Sequence, residues 1–351
     1  MTRIALVAPY APPISGGISS FVSGLYHALE QRGHDVSLFA GEGRGDVERR
    51  SNLGLGRGFL ARAAQGLEGA RPDVVHCHAH WYALAAGVLY RRKNPAARLV
   101  FSFHTTSVPI FRSRFTRLLA KAHVCTFVSS AQLAELRHAL LLGGDLRILQ
   151  PATPIVTVTP DEARRWAGLY NLEGAFPVLA FVGPLEYRRK VAGVVDLVRS
   201  MPKILQHFPR ARLLIVGDGR LRPAVEAATR HVGDAATVTG FVEDPRGLLQ
   251  NADIYCHISY QESFGISILE AMALGRCVLA SSVGGIPEIV DSSNGVLVGE
   301  GPEAIANAVR ALAEDEALRK QLGSSAQEMV LRRFVWERRI PQLSSLYGAT
   351  L

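Results

Sequence analysis

The residues best equipped for chemistry lie between Ser259 and Gly275, in the run Ser-Tyr-Gln-Glu-Ser-Phe-Gly-Ile-Ser-Ile-Leu-Glu-Ala-Met-Ala-Leu-Gly. An apolar strand over 254–258 feeds a short polar loop and then a helix that Gly275 can close as a left-handed cap. Glu262 falls in the loop, and Glu270 follows eight residues later on the second turn of the helix. Between them, Phe264, Gly265 and Ile266 present backbone N–H groups at the helix start, where the macrodipole favours an anion. Among Ile268, Leu269, Ala271 and Met272, a carboxylate at Glu270 is costly unless something pairs with it. A buried Arg is the plainest partner, and Glu262 is then only a solvated side chain.

Other candidates are scattered along the chain. Gly16 and Gly17 precede a helix in the loop after the first strand, where glycine allows a ligand close to the backbone and equally makes an ordinary turn. His104 closes the strand 99–103; a neutral imidazole there can hydrogen-bond a hydroxyl or accept a proton, or simply support the fold. His76, His78 and His80 alternate as metal ligands on a strand would, but no carboxylate lies at matching spacing. They are read as cleft-lining or surface residues, and no metal is expected. Arg188, Arg189 and Lys190 form a cationic run that solvation alone could explain. Gly217-Asp218-Gly219 imitates a dinucleotide turn, yet Leu221 and Arg222 stand where its last glycine belongs, which argues against NAD. Over 111–123, Arg112, Arg114, Arg117 and Lys121 alternate with Phe111, Phe115, Leu118 and Leu119. This is either a helix with one core face or a surface able to lie on anionic lipid.

These side chains need a frame, and the hydrophobic pattern supplies one. Strand-like runs at 4–8, 35–40, 74–76, 99–103 and 124–129 alternate with helical stretches at 18–32, 81–90 and 130–141. The Gly- and Arg-rich segment 41–58 reads as a mobile loop. Pro-rich 150–160 breaks the rhythm and is read as a linker, after which strands at 178–182, 212–216, 237–241, 253–258 and 277–280 restart it. Alternating β-α-β units imply parallel sheets covered on both faces, with ligands at the carboxyl ends of the strands. The predicted domains are 1–150 and 151–334, with a final helix from about 335 to 351.

Composition agrees with an enzyme-sized globular chain. Its 351 residues suit two cores, and 48% hydrophobic with 20% charged residues excludes a disordered chain. Cys77, Cys125, Cys256 and Cys277 each sit in or beside an apolar strand without metal spacing, so reduced core thiols and a cytoplasmic location are expected. No run is long enough for a membrane span. A formal charge of +8 suits an anionic donor or the anionic cytoplasmic face of a membrane. Nucleic acid is disfavoured, since no zinc finger, aromatic RNA motif or long basic helix is present.

The run Glu262-Ser-Phe-Gly-Ile-x-x-Leu-Glu270-Ala-Met-Ala-x-Gly275, continuing to Gly284-Gly285-Ile286-Pro287-Glu288, resembles the E-x7-E signature of the retaining family 4 glycosyltransferases. The resemblance implies the GT-B fold, two Rossmann-like domains facing a central cleft. It implies transfer of a hexose from a nucleoside diphosphate sugar, UDP more readily than GDP, to a hydroxyl acceptor in glycan, glycolipid or glycoconjugate synthesis. No tightly bound cofactor is implied. Glu262 is then expected to hold hydroxyls of the transferred sugar, Phe264–Ile266 the sugar and distal phosphate, and Glu270 the ribose. Lys190 is expected to neutralise the leaving diphosphate with help from Arg188, and His104 to meet the transferred sugar. Gly16 and Gly17 are expected beneath the donor, and Gly217 and Phe241 near the nucleotide.

Two places depart from the family pattern. Pro184 occupies the position of the usual diphosphate-binding Arg, and Pro151-Ala152-Thr153-Pro154 replaces the usual Pro-Asn-Gly-Val-Asp. They motivate a second reading, a weak or inactive homologue acting as a nucleotide-sugar-binding subunit. A GT-B sugar epimerase or phosphorylase is a third.

Overall fold

The computed structural model describes residues 1–12, 16–42, 50–54, 58–155 and 157–351. Most of the predicted loop 41–58 therefore lies outside the described residues, although a three-residue strand falls within it. Two compact units are present, one made of Met1–Ala152 with Val335–Leu351 and the other of Thr153–Phe334.

The first unit runs β1 (Arg3–Tyr10), α1 (Gly17–Glu30), β2 (Asp35–Glu42), β3 (Arg50–Asn52), α2 (Phe59–Ala70), β4 (Val74–His78), α3 (Trp81–Lys93), β5 (Arg98–Phe103), α4 (Arg112–Leu119), β6 (Val124–Phe127), α5 (Ser130–Leu140) and β7 (Leu146–Ile148). Its seven strands pair in parallel in the order β3-β2-β1-β4-β5-β6-β7. β4 lies between β1 and β5, paired on both edges in register Val75 with Ala5 and with Leu99, and all five of its residues are buried.

The second unit runs α6 (Pro160–Leu169), β8 (Val178–Val182), α7 (Arg188–His207), β9 (Arg212–Val216), α8 (Arg222–Thr229), β10 (Ala236–Gly240), α9 (Arg246–Leu249), β11 (Ile254–His257), α10 (Ile266–Ala273), β12 (Cys277–Ser281), β13 (Val296–Val298), α11 (Pro302–Glu314) and α12 (Glu316–Arg333). Its parallel sheet is ordered β10-β9-β8-β11-β12-β13. The chain order reverses between β8 and β11, and ligands of such sheets bind outside the carboxyl ends of the strands at that switch point. Val194, Leu197, Val198 and Met201 bury the inner face of α7 against this sheet.

The last helix, α13 (Trp336–Tyr347), belongs to the first unit. Trp336 packs edge-on to Phe21 of α1, and Arg98 donates to the Leu346 carbonyl. The four cysteines are free and buried. Among the described residues no helix is long and apolar enough to cross a membrane.

Candidate active site

The second unit brings Glu262 and Lys190 together. The loop after β8 ends in the first turn of α7, which holds Lys190, and the loop after β11 holds Glu262. Two bonds staple these loops: the Tyr260 amide donates to the Arg189 carbonyl, and Arg189 Nε donates to the Tyr260 carbonyl. Gly193 lets α7 lie this close, because a Cβ there would stand 2.5 Å from the Ile258 carbonyl oxygen. Gly284 does the same from the other side; a side chain on it would overlap the Glu262 carbonyl, which gives the Gly-Gly-Ile-Pro-Glu tail a steric reason.

Lys190 Nζ stands 2.7 Å from Glu262 Oε2, each side chain only 13% exposed. His257, at the end of β11 and fully buried, completes the group, with Nε2 3.0 Å from the same oxygen. Burial opposes the charge on Glu262, but the Lys190 ammonium and the hydrogen bond from His257 override it and hold the carboxyl well below its ordinary range. On the other ring edge, His257 Nδ1 lies 3.1 Å from the Tyr255 hydroxyl and 3.5 Å from Ser267 Oγ.

Sequence reasoning missed His257. Its only sequence signal was a histidine in an otherwise apolar strand, five residues before the glutamate.

Beyond Glu262, Phe264 is buried and anchors the loop against Phe334. Gly265 takes a positive φ of 100° as the N-cap of α10, which opens at Ile266. The amides of Gly265 and Ile266 have no hydrogen-bond partner among the described residues, so they remain donors at the positive end of the helix.

Glu270 sits one turn further on. Among the described residues no Arg pairs with it, contrary to the plainest sequence reading. Arg246 instead pairs with Asp244, and Glu270 stands beside that pair. Burial, reinforced by Asp244 and opposed by Arg246, pushes its carboxyl up to about 7. A hydroxyl-bearing ligand would supply the missing partner.

Gly217 bridges to Gly240 at the ends of β9 and β10, and Phe241 is 43% exposed just beyond. Arg188 is exposed on the first turn of α7 and makes no ion pair among the described residues.

In the first unit, Gly16 caps α1 with φ 134°, and Gly17 is its first residue. His76 and His78 are fully buried, which corrects their reading as cleft-lining or surface residues; β4 is an interior strand. His76 bonds the Tyr347 hydroxyl at 2.8 Å and Ser102 Oγ at 2.6 Å. His78 Nδ1 meets His104 Nε2 at 3.1 Å. Burial pushes His76 and His104 down to about 3 and His78 well below its usual value, so this cluster is neutral. Among the described residues no group of His, Cys, Asp or Glu could hold a metal ion.

Comparison with known proteins places both units. The architecture is that of solved GT-B enzymes: sucrose-phosphate synthase from Thermosynechococcus elongatus superposes with a TM-score of 0.81 at 23% identity, over 99% of this chain and 98% of that one. The Anabaena protein HepE in complex with UDP-glucose gives 0.82 at 19% identity, over 99% and 100%. Residues 15–154 match the model for Glycosyltransferase Family 4, and residues 176–315 that for Glycosyl transferases group 1. The phosphatidyl-myo-inositol mannosyltransferase of Mycobacterium tuberculosis is 28% identical across 98% of this chain and 96% of its own. The chain belongs to the group 1, family 4 glycosyltransferases, and it is a glycosyltransferase with the GT-B fold.

Proposed function

We propose that this enzyme moves a hexose from a nucleoside diphosphate sugar to a hydroxyl acceptor with retention of anomeric configuration. The observation that carries the reading is the Lys190–Glu262 pair at the β8/β11 switch point, beside the open amides of Gly265 and Ile266. A fixed ammonium and a helix N-terminus suit a diphosphate, and they stabilise negative charge as it develops on the leaving nucleotide. Glu262 accepts hydrogen bonds from the sugar and Glu270 from the ribose, while Phe241 and Gly217 border the nucleotide. Arg188 is free to reach the diphosphate in place of the Arg that Pro184 displaces. His104 and the Gly16-Gly17 turn are assigned, by the family resemblance, to the transferred sugar and the donor phosphates. UDP is favoured over GDP, a choice supported by the UDP-glucose bound to HepE.

Thermal unfolding with UDP, GDP, ADP and NAD tests the donor site. A nucleotide at ~100 times its dissociation constant stabilises by roughly 2.7 kcal/mol, visible as a raised midpoint. A rise with UDP alone supports the reading. No rise with any nucleotide overturns the donor site, makes Pro184 a disabling change and favours an inactive homologue.

The acceptor reading includes a lipid surface. From residue 74 to 134 the chain has no Asp or Glu but carries Arg91, Arg92, Lys93, Arg98, Arg112, Arg114, Arg117 and Lys121. Exposed Ile110 and Phe111, with Trp81 packed edge-on to Phe111, stand beside the three arginines of α4. Cations flanking exposed apolar side chains suit anionic headgroups. Flotation with phosphatidylserine vesicles should carry the protein at low salt, and absence of binding would remove this part of the proposal.

A further inference from the structure

Lys190 is asked to serve two anions that compete for its charge. In the structure it neutralises Glu262 at 2.7 Å; in the proposed reaction it binds the donor's diphosphate. A lysine drawn onto phosphate leaves a carboxylate that is almost fully buried, and a buried charge that loses its partner is costly. His257 is then the neighbour left on that oxygen, while the Ser263 amide donates to the other.

We infer that His257 is a positioning residue that holds Glu262 in place and takes up a proton from solvent when the diphosphate draws Lys190 away. The hydrogen bonding accommodates both states of the ring. Glu262 is acceptor-only, so Nε2 carries a hydrogen and donates to it in either state. In the neutral ring, Nδ1 accepts from the Tyr255 hydroxyl at 3.1 Å. In the protonated ring, Nδ1–H donates to that same oxygen, and the Tyr255 O–H turns to the Val182 carbonyl, 3.3 Å away. No polar group is orphaned by the change. The bond formed is N–H at Nδ1, and its proton comes from water.

The surroundings set the direction. The charged groups facing the ring are Glu262 from its loop and Lys190 from α7; Glu270 of α10 acts on the neighbouring Tyr255, Ser267 of α10 is neutral, and β8 contributes the apolar Phe181, stacked at 5.7 Å. Burial first, and then the charge of Lys190, hold His257 below its ordinary value, while Glu262 raises it. Moving the ammonium onto an incoming dianion weakens the second of these and brings negative charge nearer, so the ring binds its proton more tightly with donor present. By linkage, the diphosphate binds more tightly where that proton is available, and affinity falls as pH rises through the bound-state titration.

This inference rests on the donor-binding role proposed for Lys190, and the experiment separates the two. UDP binding is measured calorimetrically in buffers of different ionisation enthalpy, on wild type and on His257→Gln, which can still donate to Glu262 but cannot titrate. The terminal phosphate of UDP contributes equally to both. Wild type should take up more protons than the variant, by up to one per site. Its UDP affinity should also fall with pH more steeply, by up to tenfold per pH unit. Equal proton uptake in the two proteins overturns the inference. If His257→Gln does not fold, Tyr255→Phe removes the oxygen that accepts the hydrogen bond from the protonated Nδ1–H, and its proton uptake should fall likewise. Lys190→Met provides the third arm. If it binds UDP as wild type does, the donor role itself has failed; a loss of tenfold or more upholds that role whatever His257 does.

Discussion

Both units place buried imidazoles at the central strands of a parallel sheet, but they surround them differently. In the first, His76, His78 and His104 have hydroxyls and one another for partners, and burial keeps all three neutral. In the second, His257 shares a carboxylate oxygen with an ammonium. Similar topologies therefore hold a neutral hydrogen-bonding cluster in one unit and an ionic one in the other. An anionic ligand can act on the second and has no charge to act on in the first. The position of a histidine in a Rossmann-like sheet thus says little about its chemistry until its second partner is known.

The sharpest way to break this contrast is to remove one charge. Lys190→Met should destabilise the second unit by about 3 kcal/mol, because Glu262 stays buried and ionised, and it should lower transferase activity at least 100-fold. Adding Glu262→Gln should recover most of the stability, as read by urea unfolding, without recovering activity. Full stability in the single variant would mean that the pair is not electrostatically coupled.

Acid should separate the units. The histidines of the first unit have folded values depressed below their unfolded value of about 6.5. Their contribution is therefore present above that value and is lost as pH falls toward 3. Hydrogen exchange at pH 5 should show β4 and β5 opening before β8 and β11. The reverse order would contradict a neutral cluster.

Glu270 has the opposite sign. Its folded value, about 7, lies above that of an unfolded glutamate, so its contribution is present below about 4.5 and is lost as pH rises through 7. Glu270→Gln should abolish that loss and leave the protein ~1–2 kcal/mol more stable than wild type at pH 8, a figure discounted for partial exposure. Equal stability at pH 8 would show that the carboxyl is not strained. The smallest effect is expected at Tyr347→Phe, which removes one neutral buried hydrogen bond at about 1 kcal/mol and should leave UDP affinity unchanged.

Much of the second unit was legible in sequence because its letters carry steric duties. Gly284 must pass the Glu262 carbonyl, Gly265 must open a helix at positive φ, and strand-to-helix alternation fixes which loops share an end of the sheet. What was not legible depended on neighbours distant in sequence. His76 and His78 alternate as if on an exposed strand, and only the pairing of β4 on both edges reveals them as interior. Lys190 and Glu262 were each assigned to a ligand, whereas their ion pair joins residues 72 positions apart. The plain alternative for Glu270, an arginine partner, fails because Arg246 pairs with Asp244 instead. The helix α6 went unread because it follows directly on a proline-rich stretch.

The first unit is interrupted by the whole of the second, and Tyr347 reaches back across 271 positions to His76. During synthesis, the segment that closes the N-terminal core is therefore made after the complete C-terminal unit. Strands β1 to β7 must wait with the seat of α13 uncovered, Phe21 and His76 included, while residues 153–334 already have everything they need to fold. The order of translation is thus the reverse of the order of completion: the unit begun first is finished last, and nascent chains stalled before residue 335 should expose an apolar seat for chaperones on the N-terminal unit alone.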